Sequence, residues 1–453
     1  MSNTWIIVVF LFSLALLLYG IIKGKIEGGA MMLIVSLITG ILLKMDAKTL
    51  ISTVASGFGN MMASLGIVVA LGSVLGGILA ESGATDQIAL AMLKKFGSKH
   101  ANTALNATGY LISIPVFMGP AYIILNPICT NLAKHTKKSV IGYTTALVVG
   151  LMCTHCLVIP TPGPLAVAGS LSANIGLFIL YSLIVSLPAS VIGGMMYGNY
   201  LSKKYTDKNV PEVSDEEAMS EIIKNAKEKH PSAATAIFLI FLPIILILFA
   251  TMAPYVTQAS AVLNICNFLS GSNGLGALLI SDIVAWIMCR KYISKTPAQV
   301  LTASLNDVGE VNFLLGCSGS YGAIIAASGI GAVLSSFVSS TGLPLFIMAF
   351  LISTLLKAAL GSSATALVTT ASLMAPMMVP GSSPVLVGLA ICLGGLSLCL
   401  PTDGAFWEVK QFNDLSMKET FVAHTGGNLI ACVVGFLIVC ILYALRFVLP
   451  GLL

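Results

Sequence analysis

An all-α polytopic membrane protein is the fold class this sequence predicts, and three observations predict it. Of the 453 residues, 57% are hydrophobic and only 9% are Asp, Glu, Lys or Arg, where a soluble protein carries about 25% charged residues. The mean hydropathy is +0.97, which leaves too few charges to coat a chain of this size in water. The charges are also gathered: 201–231 holds 13 of the 41, so the remainder runs in long apolar stretches that need lipid as solvent. A nucleic-acid binder, a secreted disulfide scaffold and a soluble enzyme are excluded on these grounds. The net charge of +5 comes from loop lysines, with only two arginines, Arg290 and Arg446, so no nucleic-acid or acidic partner is implied. The ten cysteines fall in apolar runs without regular spacing and read as small hydrophobes.

The first apolar run, 5–22, has no basic residue before it and no small-residue cleavage site after it; Lys23 and Lys25 come next. It reads as an uncleaved membrane helix. Runs able to span about 30 Å of hydrocarbon follow at 29–43, 62–80, 140–159, 175–200, 233–251, 274–289, 311–328, 343–356, 385–400 and 428–449. Two more regions, 102–132 and 358–380, are apolar but interrupted. About 11 to 14 membrane segments are expected. With the N-terminus outside and 102–132 passing up and back, 17 of the 23 basic residues face the cytoplasm, as basic loops should. The stretch 201–231, with six lysines and seven acids, reads as a solvated cytoplasmic linker joining a first half, 1–200, to a second, 232–453.

The halves resemble each other. GGILAESG at 76–83 matches GAIIAASG at 322–329, and IPTPGP at 159–164 matches LPTDGA at 400–405, in the same order and at nearly the same offset. By the crossing count the matching segments run in opposite directions, the inverted-repeat plan of many secondary transporters. Each half also has two breaks. SIPVFMGP (113–120) and IPTPGP interrupt the first, LGSSAT (360–365) and LPTDGA the second. Proline removes a backbone donor and glycine destabilises a helix by about 1 kcal/mol. Backbone freed in this way cannot face lipid; it must be buried in protein or line a wet cavity. Four helix ends are therefore expected to converge near mid-bilayer, where helix N-termini favour an anion.

At these residues the chain resembles the gluconate permease (GntP) family of the ion transporter superfamily, over nearly its whole length. The resemblance rests on Gly57-Phe58-Gly59, Ala80-Glu81-Ser82-Gly83, Thr154-His155, Pro162-Gly163-Pro164 and Ala173-Asn174-Ile175-Gly176. In the second half it rests on Lys357 before Leu360-Gly361-Ser362, then Asp403-Gly404-Ala405-Phe406-Trp407 and Lys418-Glu419-Thr420. It implies a bacterial inner-membrane, proton-coupled importer of small hydroxylated acids such as gluconate, other sugar acids and D-serine. It further implies a scaffold plus a transport domain, two re-entrant hairpins near 113–132 and 358–380, a homodimer and elevator-type movement. Departures fall at the expected site. Family members usually carry an acid in the first hairpin, where this chain reads Phe117-Met118-Gly119-Pro120-Ala121. They usually carry a second histidine where it has Thr161, and many have Asn where it has Thr402.

The expected function is import of a small hydroxylated carboxylate with protons across the lipid bilayer. A D-amino acid substrate, sodium coupling and a channel are the alternatives. The arginines lie near membrane edges, so a bidentate carboxylate clamp is not available. The expected binding residues are Ser113, Pro115, Gly119, Thr161, Gly163, Lys357, Gly361, Ser362, Ser363, Thr365 and Thr402. His155, an imidazole inside an apolar run, and Asp403, at the second-half break, are the expected proton carriers. Asp282 lies alone among apolar residues and fits a structural hydrogen bond or a relay. Asp307 and Glu310 are expected in a helix's first turn, Glu81 at the interface, and Gly72-x-x-x-Gly76 in close helix packing. No enzyme activity, cofactor or metal is expected: Cys153-x-x-Cys156 has no second pair, and phosphate loops and Ser-His-Asp order are absent by spacing.

Overall fold

The structure, a computed structural model, describes residues 3–97, 100–136, 138–205, 230–257, 259–328, 343–378 and 381–452. The linker expected at 201–231 therefore falls, for 206–229, outside the described residues. Within them the chain is helical, without strands. The first half contains α1 (Asn3–Ile22), α2 (Gly28–Leu42), α3 (Ala47–Met61), α4 (Ile67–Glu81), α5 (Ala84–Phe96), α6 (Ala101–Ile112), α7 (Met118–Thr136), α8 (Val140–Leu157), α9 (Pro162–Ser170), α10 (Ile175–Ser190) and α11 (Tyr197–Lys204). The second contains α12 (Ala233–Met252), α13 (Ser260–Cys289), α14 (Pro297–Ala327), α15 (Leu345–Leu360), α16 (Ser363–Met374), α17 (Pro384–Ser397), α18 (Gly404–Phe412), α19 (Met417–Thr420) and α20 (Gly427–Ala444).

The chain marks its helix starts with oxygen-bearing side chains. Glu27 accepts from the Gly29 and Ala30 N–H groups ahead of α2, Asp46 from Lys48 and Thr49 ahead of α3, and Asn174 from Leu177 ahead of α10. Thr296 and Gln299 form a reciprocal capping box at α14, with Pro297 in its first turn. Each such cap is worth about 1 kcal/mol. The capping box also corrects one expectation. Because α14 starts at Pro297 and runs 31 residues, Asp307 and Glu310 lie in its interior and not in its first turn. The apolar run at 311–328 is only the second half of this helix.

Among the described residues, six helical segments are long and apolar enough to cross a membrane: Ala47–Glu81, Val140–Ser170, Ile175–Lys204, Ala233–Met252, Asn273–Tyr292 and Met417–Ala444. Shorter apolar helices accompany them, among them Gly28–Leu42, Leu345–Leu360 and Pro384–Ser397. Large apolar side chains such as Leu11, Ile41, Ile67, Ile287, Leu355 and Leu437 are exposed on the outside of the helices, which is the surface a bilayer requires. The protein is a multi-pass membrane protein. All ten cysteines are free, and all but Cys440 are buried.

Helix packing falls into two groups. In one, α14 lies along α2, α3 and α4, and α13 packs on α4 and α12. The α3–α14 crossing is a backbone contact: a Cβ added to Gly57 would stand 2.6 Å from the Gly319 carbonyl oxygen, the close approach that small residues give membrane helices. In the other group α8 is central, buried along nearly its whole length and packed on α6, α7, α10, α11 and α17. Around it, α15 packs on α17, α17 on α20, and α9 on α16, while α16 also reaches α14 of the first group. Two of the three glycines of α4, Gly72 and Gly76, face the first-half breaks. A Cβ on Gly76 would lie 2.5 Å from the Pro115 carbonyl oxygen, and one on Gly72 3.1 Å from that of Pro160. The carbonyls of those prolines thus lie against another helix's backbone, away from lipid.

Candidate functional site

Four interruptions of the helices govern the candidate site. Between α6 and α7 the chain turns at 113–117, with Ser113 Oγ donating to the Val116 carbonyl at 3.0 Å. Between α8 and α9 it passes 158–161, where the Ile159–Pro160 peptide is cis and the Thr161 hydroxyl donates to the Val158 carbonyl. Between α15 and α16 lie Gly361 and Ser362, and between α17 and α18 lie residues 398–403. Gly361 has φ +78°, a left-handed conformation open to glycine, and an added Cβ would overlap the Thr402 carbonyl. The two second-half breaks are therefore in backbone contact.

A buried ion pair fixes that contact. Lys357 is wholly buried near the end of α15. Its Nζ donates to Asp403 Oδ2 at 2.6 Å and to the Gly361 carbonyl at 2.7 Å. The other carboxylate oxygen of Asp403 accepts from the Ala405 N–H at 3.0 Å and caps α18. Thr402 Oγ1 donates to the Ala358 carbonyl at 3.2 Å, and Ser363 Oγ to the Gly395 carbonyl at 3.1 Å. Lysine and aspartate alone would each be costly here; paired and hydrogen-bonded, they are tolerated.

Beside this lattice opens a cavity of about 440 Å³, lined by both halves of the chain. Phe117, Met118 and Gly119 of the first break and Met152 and His155 of α8 line it from the first half; Leu360, Ser362, Ser363, Ala364, Thr402–Ala405 and Glu408 line it from the second. The first turns of α7, α16 and α18 thus border a single space. Their N–H groups and positive dipole ends favour negative charge. The size suits a small-molecule ligand.

Of the expected residues, Gly119, His155, Ser362, Ser363, Thr402 and Asp403 line the cavity. Lys357 and Gly361 stand behind the wall as its support. Ser113, Pro115, Thr161, Gly163 and Thr365 do not line it. The Pro115 carbonyl packs on Gly76, Gly163 faces Leu367 of α16, and the Thr365 methyl lies on the α2 side, where a Cβ added to Gly28 would be 3.0 Å away. Three of the four breaks therefore reach the cavity, and the one before α9 packs instead on α16. His155 stacks at a tilt on Phe117, ring centroids 5.9 Å apart, and its Nδ1 has no hydrogen-bond partner among the described residues.

Two ionisable residues were not anticipated. Glu408 sits one helical turn into α18 with its carboxylate over Gly119, from whose added Cβ the two oxygens would be 3.5 and 3.6 Å away. His424 is fully buried in the π-helical turn Phe421–Gly426, where its Nδ1 meets the Asn428 amide at 3.2 Å. Each carried a sequence signal. Glu408 follows Gly404 by four residues, which puts it on the same helix face as the second break, and His424 precedes an apolar run much as His155 closes one. Donor atoms of Cys399, Asp403 and His424 lie within 4.8 Å of one another. The set does not fit a metal ion, because Asp403 is already bound to the Lys357 ammonium and a second cation there would face it. Elsewhere, Asp282 of α13 is buried with neither carboxylate oxygen hydrogen-bonded among the described residues, and Glu81 pairs with Lys295 at 2.7 Å near the surface.

Comparison with known proteins matches residues 5–445 to a family model described as GntP family permease. A D-serine transporter, DsdX, of Escherichia coli O6:H1 is 30% identical over 441 residues, covering 96% of this chain and 97% of its own length. A gluconate permease of Pseudomonas aeruginosa is 29% identical, covering 93% of this chain and 94% of its own. The low-affinity gluconate transporter of Escherichia coli K12 is 27% identical, covering 96% and 97%. Among solved structures, the YdaH transporter of Alcanivorax borkumensis, described as having an unusual topology, superposes with a TM-score of 0.64 over 88% of each chain at 15% identity. That likeness concerns the fold.

Proposed function

The chain belongs to the GntP permease family, and we propose that it is a secondary active transporter that imports a small hydroxylated carboxylate together with protons across a bacterial inner membrane. The observation that carries this reading is the cavity where the first turns of α7, α16 and α18 meet beside the hydroxyls of Ser362, Ser363 and Thr402. A carboxylate there receives helix N–H groups and dipole ends without needing an arginine. Hydroxyl groups along the ligand find donors and acceptors in the serines and threonine. The relatives named for gluconate and D-serine carry small hydroxylated acids of this kind.

Lys357 has a structural task in this reading. By neutralising Asp403 it holds the second-half breaks together, and its field adds to the positive potential behind the wall. His155 is the proton carrier: it faces the cavity and its Nδ1 is free to bind a proton. Movement follows the elevator plan in a dimer: the group built around α8, α15–α18 and α20 slides as a transport domain against the group built around α13 and α14.

Purified protein in liposomes with an imposed inward proton gradient tests the function. Accumulation of a small hydroxylated acid above its outside concentration is expected, independent of sodium. Uptake indifferent to the pH gradient removes proton coupling, a sodium requirement replaces it, and entry without accumulation marks a channel.

A further inference from the structure

Glu408 is the charged group of the cavity that nothing in the cavity wall answers. Its Oε2 is buried without a hydrogen-bond partner among the described residues. Lys357 is committed to Asp403 and Gly361, and neither Arg290 nor Arg446 is among the lining residues. Of the described groups that line the space, only His155 can carry positive charge. The other acid, Asp403, is already paired. An acid bound at the surrounding helix N-termini places a second negative charge beside Glu408, unless the ligand brings a cation of its own.

We propose that Glu408 selects acids bearing an α-ammonium group, so that the transported class is small zwitterionic α-amino acids in preference to α-hydroxy acids. The proposal rests on the reading of this cavity as the substrate site. Its geometry is that of a split receptor. Glu408 follows Gly404, the first residue of α18, by four residues, about 6 Å along the axis. The N–H groups of that end, and those of α7 and α16 beside it, receive the ligand carboxylate. The Glu408 carboxylate, lying over the bare α-carbon of Gly119, receives the ammonium borne on the adjacent carbon. An ammonium donates up to three hydrogen bonds and cancels the charge. A hydroxyl at the same carbon donates one and leaves Glu408 facing the ligand's carboxylate uncompensated.

Serine and glycerate differ only in this group, ammonium against hydroxyl. Uptake of both enantiomers of each is measured with the full-length protein in liposomes under a fixed proton gradient. Wild-type protein is expected to prefer one enantiomer of serine to glycerate by at least about tenfold, the scale of a lost charged hydrogen bond. Glu408→Gln is expected to bring the ratio close to one by losing serine uptake, and Glu408→Asp to retain the preference. Wild-type protein that takes glycerate as readily as serine overturns the proposal, whatever the variants do. So does a Glu408→Gln protein with an unchanged ratio; if its pH dependence is lost as well, Glu408 binds the transported proton instead. Accumulation of glycerate or gluconate with serine excluded overturns this proposal and leaves the proposed transport function standing. Failure of the folded protein to accumulate any acid removes both.

Discussion

The Lys357 ammonium lies 2.6 Å from Asp403 Oδ2, with lysine wholly buried and aspartate nearly so. One cation thereby joins the last turn of α15 to the first turn of α18. The partners come from opposite sides of the apolar segment α16–α17, 46 residues apart in sequence, so the pair sets how the second-half breaks sit against each other.

Lys357→Ala leaves the Asp403 carboxyl group unpaired, and breaking a buried pair in this way costs about 3–5 kcal/mol. A marked fall in thermal unfolding temperature in detergent is expected, with loss of uptake. The double variant Lys357→Met, Asp403→Leu removes both charges. It is expected to recover much of the stability and none of the transport. A single variant as stable as wild type would contradict the burial of charge at this pair.

His155→Gln keeps a hydrogen-bonding side chain of similar reach but cannot carry a proton near neutral pH. Uptake measured across pH 5.5 to 8 is expected to lose its pH dependence while retaining substrate binding. A profile that rises and falls like the wild type's places the proton on another group, with His424 and Asp403 the next to test.

Gly361 and Gly119 border the same site but differ in what they tolerate. Gly361→Ala forces a left-handed backbone on a side chain and drives its Cβ into the Thr402 carbonyl. The strain, of the order of 1–3 kcal/mol before the overlap is counted, is expected to lower stability and abolish uptake. Gly119→Ala meets the Glu408 carboxylate only at ordinary contact distance and is expected to fold like wild type. Equal unfolding temperatures for the two variants would refute the contrast.

Asp282→Asn preserves shape and removes a carboxylate that has no hydrogen-bond partner among the described residues. Asp282 does not line the cavity. Unchanged uptake and an unfolding temperature equal to or above wild type are expected. A loss of coupled uptake would make α13 part of a proton path.

The membrane character, the helical class and the second-half breaks were legible in the sequence, because apolar length, Gly361 and Pro401 act locally. Ser362, Ser363, Thr402 and Asp403 came with those breaks. The break before α9 looked equivalent, yet Gly163 is turned onto α16 and the Thr161 hydroxyl is taken up by the Val158 carbonyl of its own turn. Which side of a break faces a cavity depends on the helix packed behind it, and that is a long-range property. Lys357 read as a ligand for the substrate; its contact with Asp403, 46 residues on, is long-range and was not legible. Glu408 escaped for the same reason. The acid that the family resemblance expects on the first hairpin is missing from Phe117–Ala121, and the structure brings a carboxylate into that space from α18, in the other half of the chain.

Ownership of the cavity is divided: Gly119 and His155 come from before residue 206, and Ser362, Asp403 and Glu408 from after 229. Neither portion made alone encloses a complete receptor. A gene severed between those positions should yield two inert fragments that regain activity only when produced in the same cell.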